Sequence, residues 1–210
     1  MSFGADWATV AVVGIFAVTS PGPDMLVTLR SSLVGSTRAG LFTALGIGIG
    51  LCVHTGYSLV GLAVLISQSI VLFSTLKLIG AAYLVYIGWK AIRARGNMMP
   101  LIGEDERRPM SAGDALRAGL FTNLTNPKVT LFFLALFTQV IEPETSSSLR
   151  ALYGGTIIVT SLIWFSLLAL IVGREAVRAR LRATSHWIER IAGGLFIALG
   201  VRLIFAKAAS

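Results

Sequence analysis

Thr19-Ser20-Pro21-Gly22-Pro23-Asp24 sits between apolar runs that otherwise read as membrane helix. Its two prolines and glycine predict a broken helix, because proline lacks the N–H and its ring crowds the preceding turn. In lipid such a break survives only where protein or a water-filled cavity re-satisfies the freed backbone groups. A carboxylate, Asp24, follows it directly. Further along, Asn123-Leu124-Thr125-Asn126-Pro127-Lys128 interrupts a second apolar run. From Gly22 to Asn126 is an offset of 104 residues, almost half of the 210 in the chain. Two broken segments at corresponding places in two halves point to the binding site of a transporter.

The composition agrees. Hydrophobic residues make up 55% and charged residues 13%, about half the charged share of a soluble domain, and mean hydropathy is +0.79. Several stretches reach the roughly 20 apolar residues needed to cross a bilayer, so the expectation is an all-α integral membrane protein. The formal charge of +8 does not indicate nucleic acid, because the basic residues lie in short loops between apolar runs. The single cysteine, Cys52, excludes an internal disulfide. The N-terminus has no basic region before its apolar stretch and carries Asp6, which argues against a cleaved signal peptide.

Six spans are predicted, near residues 7–30, 40–67, 70–90, 115–141, 149–172 and 187–205. The first and fourth carry the breaks. Residues 91–114 are the one extended polar segment, so the chain divides into a three-helix repeat at 1–90, a cytoplasmic linker at 91–114 and a second repeat at 115–210. Ser111 to Asp114 reads as a helix start. Residues 174–190 read as a basic connection to the last span. Lys and Arg gather in the first, third and fifth loops. The positive-inside rule puts those loops in the cytoplasm and both termini outside. Three spans per half then give inverted repeats.

Several residues could carry chemistry. Pro23 and Pro127 suit the first helical position, which makes Gly22 and Asn126 the caps. Asp24 either stabilises a helix start through the dipole or marks a pathway or proton relay, as intramembrane ionisable groups do by default. Lys128 opposes the dipole at its own helix start, so it needs a carboxylate partner or the anionic group of a substrate. A fixed Asp24–Lys128 ion pair stapling the halves is the structural alternative. Asn123 and Asn126, three apart, either face one cavity or cap the broken helix. The candidate substrate and proton site is therefore Pro21, Gly22, Pro23, Asp24, Asn123, Asn126, Pro127 and Lys128, with His54 a secondary candidate between packing and proton transfer. Lys77 reads as a snorkelling residue near a helix end. One Cys, one intramembrane His and one central Asp make no transition-metal site. No nucleotide-binding or hydrolase signature occurs, so neither an enzyme nor any cofactor is expected. Gly46 and Gly50 form a GxxxG pair, suited to close packing within one chain or in a homo-oligomer. Arg38–Thr43 and Arg117–Thr122 share one hexapeptide at an offset of 79, read as two helices entering from the same basic side.

These residues resemble the lysine exporter and homoserine/threonine exporter superfamily of bacterial inner-membrane proteins. The resemblance lies in Ser20-Pro21-Gly22-Pro23-Asp24 and the glycine-rich second span ending at His54. It continues in Lys77-x-x-Gly80-Ala81-Ala82-Tyr83-Leu84-x-Tyr86-x-Gly88 and Gly119-x-x-x-Asn123-Leu124-x-Asn126-Pro127-Lys128. Gly193-Gly194 and Ala198-Leu199-Gly200-Val201 complete it. It implies export of amino acids or derivatives (homoserine, threonine, lysine or similar), driven by the proton-motive force. The expected partners are then the amino acid, protons and the bilayer. A non-transporting membrane interaction protein and a cation permease are the alternatives.

Overall fold

A computed structural model describes residues 3–68, 70–93, 110–140, 145–172 and 174–205, all helix apart from short turns. Helix α1 covers Phe3–Thr19 and α2 Pro23–Arg30, extended by a π-turn over Ser31–Gly35. Then follow α3 (Thr37–Gln68), α4 (Ile70–Arg93), α5 (Ala112–Leu124), α6 (Pro127–Val140), α7 (Ser147–Ile171) and α8 (Glu175–Phe205).

Proline decides both breaks. The segments Asp6–Thr19 and Pro23–Gly35 meet at 53°, as do Ala112–Leu124 and Pro127–Thr138. Each pair together is long and apolar enough to cross a membrane, and α3 over Thr37–Val60 and α7 over Ser147–Ile171 are so singly. Among the described residues this makes two to four spans by length and composition. Neither α4 nor α8 meets that test.

One sequence expectation needs adjusting, and others fall outside the described residues. The basic stretch 174–190 is not a separate connection: it is the first half of α8, one helix from Glu175 to Phe205. Arginine is a good helix former, so a charged stretch need not be a loop. The linker at 91–114 falls mostly on 94–109, outside the described residues, as do Glu142-Pro143-Glu144 and the side chain of Lys77. At the linker's end the structure does show a helix start. Ser111 caps α5 by accepting from the Asp114 N–H at 3.1 Å, and Asp114 lies in the first turn.

Small residues set the packing, as expected where lipid removes the hydrophobic drive between helices and close van der Waals contact remains. Gly46 lies against Leu116 and Leu120, Gly50 against Asn123, and Thr43 Oγ1 donates to the Ala115 carbonyl at 3.1 Å. These contacts advance together along both helices, so α3 and α5 run parallel. The shared hexapeptides enter side by side, and the GxxxG pair is used within the chain. In contrast, Gly40 meets Ala169, Gly48 meets Leu162 and Thr55 meets Gly154, which makes α7 antiparallel to α3. Helices α4 and α8 are also antiparallel, with Gly88 against Gly193 and Ala81 against Gly200. Helix α7 buries Ile157, Phe165 and Leu168 but exposes Val159, Ile163 and Leu170. An exposed face that is also apolar marks a helix solvated by lipid.

Candidate functional site

Helix α1 ends with the Ser20 N–H bonded to the Phe16 carbonyl at 2.9 Å. Gly22 is then fully extended, and Pro23 opens α2. The carbonyls of the last turn of α1 lack helical partners, as at every helix end. Lys128 supplies them. Its Nζ donates to the carbonyls of Ser20 at 2.9 Å, Ala17 at 3.2 Å and Pro21 at 3.4 Å. The opposition between a cation and its own helix start is resolved here. Lys128 belongs to the first turn of α6, but its charge sits at the C-terminal end of α1, where the dipole favours it.

The opposite exchange holds Asp24. It lies in the first turn of α2 and is buried. Asn123, at the end of α5, donates its amide to one carboxylate oxygen at 2.8 Å, and Asn126 donates to the other at 3.3 Å. Asn126 also caps α6, its Oδ1 accepting the Lys128 N–H at 3.0 Å. Each charged group is thus bound by the broken segment of the other half. Asp24 and Lys128 interact electrostatically, while the hydrogen bonds of each go to the opposite broken segment.

The candidate residues Gly22, Asp24, Asn126 and Lys128 line one cavity of about 40 Å³, which Ser20 and Ser161 also line. Its remaining wall is apolar, with Phe132, Phe133 and Phe165 prominent. Pro21 contributes its carbonyl to Lys128, and Pro127 occupies the first position of α6. Asn123 stands behind Asp24. His54 stands one layer further out, fully buried, with Nε2 3.1 Å from the Asn123 carbonyl and Nδ1 bonded to the Tyr57 hydroxyl. Because a carbonyl only accepts, Nε2 carries the proton, and a neutral ring satisfies both contacts.

Two polar groups escaped the sequence reading. Ser161 is buried on α7 and its hydroxyl has no hydrogen-bond partner. Glu189 on α8 is buried with one carboxylate oxygen unpartnered, and it interacts electrostatically with Lys128 and His186. A hydroxyl on an apolar helix face, and one of two carboxylates (with Glu175) in a basic stretch, are the only traces they leave in the sequence. No group of three or more His, Cys, Asp or Glu able to hold a metal occurs among the described residues.

The profile of the LysE type translocator matches residues 15–207. The chain is 32% identical over 203 residues to the uncharacterized membrane protein YahN of Escherichia coli K12, covering 94% of this chain and 89% of that protein. It is 28% identical over 200 residues to the threonine efflux protein of the same organism, covering 95% and 97%. To the homoserine/homoserine lactone efflux protein of Salmonella typhi it is 30% identical over 203 residues, covering 96% and 97%. No solved structure gives a significant match. With its apolar helices and two Pro-broken segments closing on one cavity, the chain is a membrane protein that belongs to the LysE type translocator family, whose members are transporters and not enzymes.

Proposed function

We propose that this protein exports small amino acids from the bacterial cytoplasm across the inner membrane in exchange for protons. The observation that carries the reading is the cavity itself. A carboxylate and an ammonium, each held by the opposite broken helix, face one small space with apolar walls. A zwitterion is the complementary ligand. Its ammonium approaches Asp24, whose oxygens retain acceptor capacity beyond two amide bonds. Its carboxylate approaches Lys128 and displaces the longest of the three carbonyl contacts, that to Pro21. The relatives named for threonine and homoserine efflux support an amino acid as cargo.

The architecture proposed is six spans in two inverted repeats, 1–90 and 115–210, joined by the cytoplasmic linker 91–114, with both termini outside. The antiparallel pairing of α3 with α7, and of α4 with α8, supports it, because those helices occupy equivalent places in the two halves. In such a fold one half rocks against the other around a fixed midplane site. The crossed bonds of Asp24 and Lys128 lie on the seam that would have to open. Asp24 is the proposed proton site, since antiport needs a group that gives up its proton on one side and its cargo on the other.

Proteoliposomes with an imposed pH gradient and labelled amino acids test the reading. Wild-type protein should move some of the panel in a gradient-dependent way. Asp24→Asn, recovered equally folded, should not. No movement of any amino acid in either gradient direction rejects amino-acid export.

A further inference from the structure

Serine in a membrane helix normally satisfies its hydroxyl by donating to the carbonyl four residues earlier. On α7, Thr156 and Thr160 do this, to Leu152 at 2.8 Å and to Thr156 at 2.7 Å. Ser161 does not. The residue is 1% exposed and lines the cavity that holds Asp24 and Lys128, and its hydroxyl has no partner. It shares one face of α7 with Ile157 and Phe165, four residues to either side, and both also line the cavity. An unused hydroxyl on so apolar a wall costs free energy unless something in the cavity completes it. The polar groups beside it have protein partners: Lys128 has three carbonyls, and Asn126 has Asp24 and the start of its own helix.

We infer that Ser161 reads the side chain of the transported molecule, selecting a small amino acid that carries a hydroxyl over its deoxy counterpart. The inference rests on the amino-acid export reading and adds to it a residue and a cargo chemistry. Asp24 and Lys128 take the two charges common to every amino acid. Ser161, on a third element, is left to distinguish among side chains. One hydroxyl both donates and accepts, so it pairs with the hydroxyl of the cargo in either sense.

The experiment compares initial rates for L-threonine against L-2-aminobutyrate, and L-serine against L-alanine, in proteoliposomes. Wild type, Ser161→Ala and Ser161→Thr are run together. Wild type should favour the hydroxylated member of each pair by about three- to tenfold, the range of one neutral hydrogen bond. Ser161→Ala should bring the ratio close to one by losing flux on the hydroxylated member alone, and Ser161→Thr should preserve it. A hydroxyl that merely binds water would leave the ratio unchanged in Ser161→Ala, which overturns the inference while amino-acid export stands. So would equal losses on both members, or a wild type without preference. A wild type that moves none of the four removes the export reading, and the role of Ser161 with it.

Discussion

The ammonium of Lys128 lies 2.9 Å from the backbone carbonyl of Ser20, so the side chain of one broken helix caps the end of the other. This contact is structural and central to the proposed site at once, and two variants separate the roles. Lys128→Met keeps the stem but leaves the carbonyls of Ala17, Ser20 and Pro21 without their donor. Losing a charge-assisted contact of this kind costs about 1.5–3 kcal/mol, read as a lower melting temperature in detergent. Lys128→Arg keeps the charge, but its planar fork cannot aim three donors at carbonyls converging on one point. It should recover only part of the stability lost in Lys128→Met and lose most of the transport. Equal transport by Lys128→Arg and wild type would exclude a role in cargo binding.

Reversal of the two charges distinguishes crossed caps from a simple ion pair. In Asp24→Lys with Lys128→Asp, a cation would face the amide donors of Asn123 and Asn126, and an anion would face carbonyl oxygens. Asn126 cannot turn its amide around to adapt, because its Oδ1 already caps the Lys128 N–H. The double variant should therefore be no more stable than the worse of the two single variants. Recovery of folded yield on reversal would mean that Asp24 and Lys128 are held mainly by each other.

The breaks were legible in the sequence because proline acts locally: Pro23 and Pro127 end a helix whatever surrounds them. Asn123 and Asn126 were legible as a pair because they flank the same break, Asn123 in the last turn of α5 and Asn126 just before α6. What Lys128 touches was not, since its stem crosses to a segment more than 100 residues away. Only the packing of the two halves determines which carbonyls it reaches. Ser161 was missed for a similar reason: the rotation of α7 about its axis decides whether one hydroxyl meets lipid or the cavity. Gly50 could be read as a close-packing residue, but its partner could not.

That partner makes Gly50 a test of the Asp24 clamp. A Cβ on Gly50 would stand 2.5 Å from Asn123 Oδ1 and 3.0 Å from Asn123 Cβ. Gly50→Ala should therefore push the amide away from Asp24 and cost about 1–3 kcal/mol, as overpacking does. Gly155→Ala and Gly194→Ala, where a Cβ meets nothing within 4 Å, should leave stability unchanged. Because the clash and the lost hydrogen bond involve the same side chain, Gly50→Ala and Asn123→Ala should combine to less than the sum of their separate effects. A double-mutant cycle on melting temperature and transport measures this. Strict additivity would show that Gly50 acts elsewhere.

His54 is the remaining choice between packing and proton transfer, and its bonds favour packing. The proton on Nε2 is given to the Asn123 carbonyl, and Nδ1 accepts from the Tyr57 hydroxyl, so a neutral ring leaves no valence over. A second proton would have to sit on Nδ1 and reverse the bond to Tyr57. His54→Phe keeps a planar ring beside Phe133 but removes the donor from the Asn123 carbonyl. That carbonyl keeps the Asn126 N–H at 3.0 Å, so the loss is one net hydrogen bond, about 0.5–1.5 kcal/mol. The expected result is a lower melting temperature, with transport per folded molecule and its dependence on the pH gradient largely kept. A proton carrier would behave in the opposite way: His54→Phe would fold normally and move amino acids without regard to the gradient. Flux measured at two gradient strengths, divided by the folded fraction, decides between them.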